Sequence, residues 1–272
     1  MKRTVFAAPY AVWMAIFIFA PMLLIGYYAF TDGGDFTLAN MRAGLDAMYM
    51  QVLIRSIWLA FRATLLCLLL GYPIAYLLSR MKHGTATLLS VFFVVPMWMN
   101  FLLRTYAWQV LLDSGGILNS LLISLNMPGQ QLLYTEAAVL LGMVYNFLPF
   151  MILPVYTVLT KMDASHIEAA RDLGANGMQT FFRVVLPLSM PGVISGVTMV
   201  FIPAITTFAI SRLLGGGMFM LYGDLMENQF LLLNDWGSGS ALSFILLILV
   251  IISMAVMRRA ERQAGEEGAK LW

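Results

Sequence analysis

The chain has 272 residues, of which 61% are hydrophobic and 11% are charged, and its net charge is +2. Soluble domains carry about a quarter charged residues, so most of this chain is predicted to use the lipid bilayer as its solvent. The small net charge gives no sign of a nucleic-acid partner. A single cysteine and two histidines exclude an internal disulfide and disfavour a zinc site, and the Gly-Lys pair of phosphate-binding loops does not occur. We therefore expect this chain to bind neither a metal nor ATP.

Six apolar segments are predicted as transmembrane helices, because about 20 helical residues cross the hydrocarbon core of a bilayer. They lie at about 5–30, 57–78, 88–112, 137–160, 184–210 and 241–257. The first follows Lys2 and Arg3, but its apolar run is too long for a signal peptide, so we interpret it as an uncleaved helix. Nothing divides the chain into soluble units. Residues 1–272 are therefore predicted to form one all-α, polytopic membrane domain.

Positive charge is concentrated on one side of these six helices. The termini and the second and fourth loops carry eleven Lys and Arg residues, whereas the opposite loops carry three, namely Arg42, Arg55 and Arg212. Acidic residues predominate in the opposite loops instead. Because cytoplasmic loops carry the excess of Lys and Arg, both termini and the loop 161–183 are predicted to be cytoplasmic.

The fourth loop is a polar island in an apolar chain. Ser165 and Glu168 have the S-x-x-E spacing of a capping box at a helix start. Gly174 occupies a place where a helix ends in a left-handed residue, and Asn176 and Gln179 repeat the capping pattern. The loop is therefore predicted to form two short helices with a hinge, a compact shape suited to docking on another protein.

The same loop carries a specific signature. Glu168-Ala169-Ala170, Gly174 and Leu186-Pro187 match the pattern EAA-x3-G-x9-I-x-L-P, with Val184 in place of the isoleucine. Here the chain resembles the inner-membrane permease subunits of binding-protein-dependent ABC importers. The resemblance implies a type I importer permease with a MetI-like core, whose loop docks on a cytoplasmic ATPase. The coupling residues that it implies are Glu168, Ala169, Ala170, Arg171, Gly174, Leu186 and Pro187.

Further segments are similar to the spermidine/putrescine permease branch of that family. They include 92–98, 103–108, 116–119, 228–230 and 234–236, whereas 205–207 and 237–238 depart from that branch. The resemblance implies a polyamine substrate. Related branches transport iron, thiosulfate or other small solutes such as amino-acid-like compounds, so those substrates remain alternatives.

The resemblance also implies a set of partners in a bacterial cytoplasmic membrane. A second permease, related but different and PotC-like, would complete the pathway as a heterodimer. Two cytoplasmic ATPase subunits would hold ATP and Mg²⁺, and an extracytoplasmic solute-binding protein would deliver the cargo. This chain would then carry no catalytic residue and would not itself be an enzyme.

Polar and aromatic side chains at membrane depth are the candidates for lining the pathway. They are Trp98, Asn100, Tyr106, Trp108, Tyr145 and Asn146. Polar groups inside a membrane are costly unless they meet a partner or water, and aromatic faces attract cations such as polyamines. An aromatic belt at the membrane surface is the alternative explanation. Arg104, in the same region, is expected to pair with an acid or a phosphate.

Three acids near the outer surface are candidate attractors for a cationic substrate, and they are Glu136, Asp224 and Glu227. Simple solvation of charged loops is the alternative. A secondary transporter or channel is a competing class, but coupling-ion carboxylates in mid-membrane are essentially absent from the sequence. A membrane enzyme is another, but no cluster of catalytic residues shares one depth.

Overall fold

A computed structural model describes residues 9, 10 and 12–270 of the chain, without the side chains of 83 and 265–270. The predicted start of the first membrane helix, at residues 5–8, lies outside this description. In the described part the chain is almost entirely helical. The β-structure in the described part is one short antiparallel pair, β1 (Thr31–Asp32) and β2 (Asp35–Phe36), in which Thr31 lies opposite Phe36.

The helices are labelled α1 to α12 in chain order. The five longest are α1 (Val12–Phe30), α3 (Ala47–Arg80), α7 (Glu136–Lys161), α9 (Gly177–Thr206) and α12 (Trp236–Lys270). The others are α2 (Ala39–Gly44), α4 (His83–Trp98), α5 (Phe101–Leu112), α6 (Ile117–Ser124), α8 (Ala164–Asp172), α10 (Ala209–Gly215) and α11 (Tyr222–Glu227). Single π-helical turns occur at Ala15–Phe19, Phe181–Val185 and Asn228–Leu232.

Five described helices are long and apolar enough to cross a membrane, and a sixth crossing is obtained if one bent pair counts as a span. The five helices, α1, α3, α7, α9 and α12, correspond to five of the six predicted segments. Helices α3, α7 and α12 extend past both ends of their predicted segments, because polar first and last turns continue the helices beyond the apolar run. The clearest example is α3, whose 34 residues extend about 51 Å, well beyond the hydrocarbon thickness of about 30 Å.

The third predicted span, 88–112, is wrong as a single straight helix. The chain forms α4, breaks at Met99, and continues after a bend of 93° as α5 and α6. Pro96 has no amide hydrogen to donate within α4, and Met99 is extended. The Asn100 side chain then accepts a hydrogen bond from the Leu102 amide at 2.8 Å and caps the new helix. The uniform hydrophobicity of this segment concealed the break.

The fifth predicted span and its flanking loops also need correction. Helix α9 begins at Gly177, seven residues before the predicted start at 184, and it ends at Thr206. The second of the two predicted loop helices is therefore the first part of this long helix. The predicted outer loop 211–239 is largely helical rather than open. It includes most of α10, all of α11 and the π turn Asn228–Leu232.

This predicted outer segment packs against α3 just before the predicted span at 57–78. The Ser56 hydroxyl of α3 accepts a hydrogen bond from the Tyr222 amide at 2.9 Å. The Arg55 guanidinium lies 4.8 Å from the centre of the Phe219 ring. The unusual length of α3 thus serves as a support for the segment between α9 and α12.

Helices α3, α7 and α9 form the centre of the bundle. Gly192 and Gly196 of α9 lie one turn apart and face α7. A Cβ atom on Gly192 would lie 3.0 Å from the Pro154 carbonyl oxygen, and one on Gly196 would lie 2.7 Å from the Met151 sulfur. Such small-residue pairs allow close backbone contact between membrane helices. The spacing of these glycines therefore fixes the distance between α7 and α9.

Candidate functional site: the coupling elbow and the outer polar groups

The segment 161–183, named the coupling elbow after its predicted role, forms a different helix cap from the predicted one. The Asp163 side chain accepts a hydrogen bond from the Ser165 amide at 2.9 Å and starts α8. Ser165 therefore lies inside the first turn, and the predicted Ser165–Glu168 capping box is wrong. The hydrogen bonds from Ser165 lower the pKa of the Asp163 carboxyl below its ordinary value. Its negative charge is then well placed at the positive end of the helix.

The second half of the elbow agrees with the sequence prediction. Gly174 ends α8 with a φ of +85°, a left-handed conformation that glycine adopts without a steric penalty. The Asn176 side chain accepts from the Gln179 amide at 2.9 Å, and the Gln179 side chain accepts from the Asn176 amide at 3.0 Å. This reciprocal capping box is confirmed. It starts α9 immediately after the turn, so the elbow and the membrane helix form a continuous unit.

Apolar and aromatic contacts attach the elbow to the bundle. Ile167 of α8 is only 8% exposed and belongs to the hydrophobic core. The Phe181 ring meets the rings of Tyr72 and Tyr76 of α3 edge to face, with ring centres 5.8 and 5.5 Å apart. The Tyr72 hydroxyl is also hydrogen-bonded to Ser189 of α9 at 2.8 Å. The elbow is therefore in direct contact with α3 and continuous with α9.

The opposite face of the elbow is exposed. Among the predicted coupling residues, Glu168, Ala169, Arg171 and Gly174 are exposed and Ala170 is half-buried. Three apolar side chains outside the predicted coupling set are also exposed: Leu173 at 89%, Met178 at 70% and Phe182 at 56%. Their signal was available in the sequence, since they are apolar residues within a polar island.

Leu186 and Pro187 are separated from that exposed face. Both are half-buried in the first turns of the membrane-crossing part of α9, just after the π turn Phe181–Val185. Pro187 has no amide hydrogen, so the turn before it adjusts to a wider hydrogen-bonding pattern. These two residues shape the helix that leaves the elbow and do not contribute to its outer surface.

The structure brings together only some of the candidate pathway residues. The rings of Trp108 in α5 and Tyr145 in α7 are in edge-to-face contact, with centres 5.4 Å apart. Trp98 lies at the break between α4 and α5 and is 84% exposed, and Tyr106 is 50% exposed. Asn100 is occupied as the cap of α5. Trp108 and Tyr145 therefore form the one direct ring contact among these predicted residues.

Two polar side chains in this region are buried with unsatisfied atoms. Asn146 is 1% exposed; its amide nitrogen donates to the Gly142 carbonyl at 2.9 Å, but its side-chain oxygen has no partner. Arg104 is 8% exposed, and its Nε atom has no partner. The predicted pairing of Arg104 with an acid is not found among the described residues. Both groups retain unused hydrogen-bonding capacity within the protein.

Two of the three candidate entrance acids are in ion pairs. Glu136, the first residue of α7, pairs with Arg62 of α3, and each side chain is a little over one third exposed. Glu227 pairs with Arg212 at 2.8 Å. This pair is not apparent from the sequence, because residues 62 and 136 become neighbours only when α3 packs on α7.

Asp224, the third acid, is 8% exposed, so the alternative of a solvated loop does not describe it. One carboxylate oxygen accepts hydrogen bonds from the Leu221 amide and the Ser211 hydroxyl, both at 2.7 Å. The carboxylate thus joins α10 to the start of α11. Burial raises the pKa of Asp224 from an ordinary value of 3.8 to about 6, although the two hydrogen bonds act in the opposite direction.

The raised pKa of Asp224 predicts the pH dependence of the outer segment. Between pH 3.8 and about 6 the folded state binds more protons at this site than the unfolded state, so stability falls as the pH rises through that window. We expect the outer segment to resist limited proteolysis better at pH 5 than at pH 7.5. Asp224→Asn, which retains an acceptor oxygen, should remove this difference. An unchanged difference in the variant would contradict the assignment to Asp224.

Among the described residues, no group of three or more His, Cys, Asp or Glu side chains is placed to hold a metal ion. The elbow with its sequence signature, attached to long apolar helices, is typical of a membrane-transport subunit. The sequence profile described as "Binding-protein-dependent transport system inner membrane component" matches residues 3–265. The chain belongs to this family.

Relatives within the family extend over nearly the whole chain. The Escherichia coli K12 protein named "Spermidine/putrescine transport system permease protein PotB" is 40% identical over 259 residues, covering 92% of this chain and 94% of its own length. The protein of the same name from Haemophilus influenzae is also 40% identical, with 92% and 91% covered. The E. coli protein named "Inner membrane ABC transporter permease protein YdcU" is 29% identical.

Solved structures share the fold. A chain of a bacterial ABC transporter involved in the import of the acidic polysaccharide alginate matches with a TM-score of 0.81 at 12% identity, covering 97% of this chain and 95% of that one. A chain of the MetNI methionine ABC transporter matches with a TM-score of 0.57 at 20% identity, covering 81% and 99%. The expected ABC importer permease fold, similar to that of the methionine transporter, is confirmed.

Proposed function

We propose that this chain forms one half of the transmembrane pathway of an ATP-driven importer of polyamines such as spermidine and putrescine. The observation that carries the transport mechanism is the coupling elbow, which is fixed to the bundle by Ile167 and Phe181 and exposes its other face. The choice of substrate is supported by relatives at 40% identity that are named spermidine/putrescine permeases.

The proposed topology counts α4 and the bent α5–α6 unit together as one span, which gives six spans in a single domain, residues 1–272. Both termini and the coupling elbow would then face the cytoplasm of a bacterium. The distribution of Lys and Arg supports this orientation.

In the proposed assembly, two ATPase subunits dock on the elbows of this chain and of a related second permease, PotC-like in type. ATP and Mg²⁺ bind to those subunits, which carry out hydrolysis. The exposed side chains Leu173, Met178 and Phe182 supply apolar area for docking, and Glu168 and Arg171 supply charges for pairing. Closure of the ATPases around ATP would bring the two elbows together. Phe181 belongs to α9 and contacts α3, so movement of the elbow would shift both helices and open the bundle outward.

An extracytoplasmic binding protein would release the polyamine on the outer side. The aromatic pair Trp108–Tyr145, with Trp98 and Tyr106, would offer ring faces to ammonium groups, and Asn100 and Asn146 would lie along the same route. Glu136, Asp224 and Glu227 are assigned to the entrance. Since Arg62 already neutralises Glu136 and Arg212 neutralises Glu227, a polyamine ammonium would act by displacing these arginines.

Variants at the Arg62–Glu136 pair test this entrance role. Glu136→Gln removes the negative charge, so we expect the KM for spermidine uptake to rise. The rise should be only about three- to fivefold, because interactions of partly exposed charges are weak. Arg62→Gln frees the carboxylate and should leave KM unchanged or lower it. An equal loss of uptake in both variants, with unchanged KM, would show that the pair serves only the packing of α3 on α7.

The substrate itself is tested by reconstituting the permease pair with its ATPase and binding protein in proteoliposomes. We expect ATP-dependent accumulation of labelled spermidine, inhibited by excess unlabelled putrescine. Accumulation of iron or thiosulfate without any of spermidine would contradict the polyamine assignment while leaving the importer mechanism in place.

A further inference from the structure

A cavity of about 290 Å³ lies behind the coupling elbow. It is formed where α3 and α7 end and where α4 and α8 begin. Its polar lining comes from Tyr76, Ser79, Arg80, Tyr156 and Thr160, and Ile167 of the elbow forms part of its apolar wall. This volume is just below the range for small-molecule sites, about 300–1,000 Å³, and suits a small group rather than a whole substrate.

Arg80 provides a positively charged group that is held in place beside this cavity. Its guanidinium carbon lies 5.1 Å from the centre of the Tyr76 ring, and one guanidinium nitrogen donates to the Tyr76 hydroxyl at 3.3 Å. No carboxylate in the described part of the chain forms an ion pair with Arg80. Most of its five N–H donors therefore remain available to a ligand.

Two of the other four polar side chains that line the cavity are free to donate a hydrogen bond. The hydroxyl protons of Ser79 and Thr160 are used internally, since they donate to backbone carbonyls. The phenol groups of Tyr76 and Tyr156, by contrast, donate to no acceptor in the described residues. A cation beside two free O–H donors favours a ligand that is negatively charged and rich in acceptor oxygens. A phosphate group meets both requirements.

We propose that this cavity binds a phosphate group, with Arg80 as its charged anchor and the hydroxyls of Tyr76 and Tyr156 as additional donors. Arg80 is the last residue of a membrane-crossing helix, which places the site at the membrane surface. With the cytoplasmic orientation of the proposed function, on which this inference rests, an anionic lipid of the inner leaflet is one source of that phosphate, and free phosphate is the other. The occupant would contact Ala164 and Ile167, and would stabilise the elbow from behind.

The test measures ligand retention on the assembled transporter in nanodiscs of phosphatidylcholine containing phosphatidylglycerol, by mass spectrometry of the purified complex. We expect the wild-type complex to retain phosphatidylglycerol, and the Arg80→Gln complex to retain at least tenfold less of it. Tyr156→Phe, which removes one hydroxyl with little risk to folding, should show an intermediate loss. Lys161→Gln is the matched control, because Lys161 follows Thr160 on the same helix end but does not line the cavity.

A second measurement separates the two sources of phosphate. If millimolar inorganic phosphate raises the thermal midpoint of the detergent-purified wild type but not of Arg80→Gln, free phosphate occupies the site, and the proposed chemistry stands. Equal phosphatidylglycerol retention by wild type, Arg80→Gln and Lys161→Gln, with no effect of phosphate, would overturn it. Neither readout requires transport, so a failure here is distinct from a failure of the polyamine assignment.

Discussion

Leu173→Asp is expected to abolish ATP-driven uptake while leaving the permease folded and inserted. Leu173 is 89% exposed at the end of α8, so an acid there meets water in the isolated subunit and costs little stability. In the docked complex the same side chain would be buried, and burial of a leucine contributes about 1.5–3 kcal/mol. Its loss corresponds to ATPase association weaker by about ten- to a hundredfold. Co-purification of the ATPase with the permease measures this directly.

The matched variant is Ile167→Asp on the same helix. Because Ile167 is 8% exposed and faces the bundle, an acid there should detach the elbow and lower the amount of folded permease in the membrane. The two variants thus predict opposite results: folded protein without docking for Leu173→Asp, and loss of folded protein for Ile167→Asp. Normal ATPase retention by Leu173→Asp would exclude this face as the docking surface.

Gly196→Leu should destabilise the bundle strongly. A Cβ atom at this position would lie 2.7 Å from the Met151 sulfur and 3.2 Å from the Met151 carbonyl oxygen, and a leucine needs far more room. Overpacking a well-filled core costs about 1–3 kcal/mol, or more where the backbone blocks the new side chain. The expected result is a lower thermal midpoint of the purified permease, measured by the temperature dependence of monodisperse protein in detergent.

Gly26→Leu is the control for this prediction. Gly26 also lies in a membrane-crossing helix, but a Cβ atom there would meet nothing within 4 Å. This variant should leave the thermal midpoint almost unchanged. Similar losses in both variants would mean that helix propensity or insertion, rather than the contact between α7 and α9, determines the effect.

Much of the architecture follows from local features of the sequence. Hydrophobic runs located the five long helices, and the Asn176–Gln179 pair and Gly174 identified the turn of the elbow, because capping and left-handed glycine depend on a few adjacent residues. The Ser165–Glu168 pair had the right spacing, but Asp163, two residues before Ser165, caps the helix instead. Spacing alone does not decide which of two neighbouring polar residues caps a helix.

Tertiary contacts account for what the sequence did not reveal. The bend after Trp98 is an exception, since it has local causes in Pro96 and the Asn100 cap that the long apolar run concealed. The partner of Arg62, and the burial of Asp224 beneath Ser211, depend on residues far apart in the chain. Residue type and predicted depth do not distinguish the candidate pathway residues from one another. Asn100 caps a helix, whereas Trp108 and Tyr145 form a ring contact.

In the proposed mechanism, the coupling elbow connects a separate ATPase to transport through this chain. It is tested most directly by measuring spermidine accumulation in proteoliposomes that contain the permease pair and the binding protein, with and without the ATPase subunit. We predict ATP-dependent accumulation only in the presence of the ATPase, and its loss when Leu173→Asp replaces the wild-type chain. Equal accumulation without the ATPase subunit would contradict the claim.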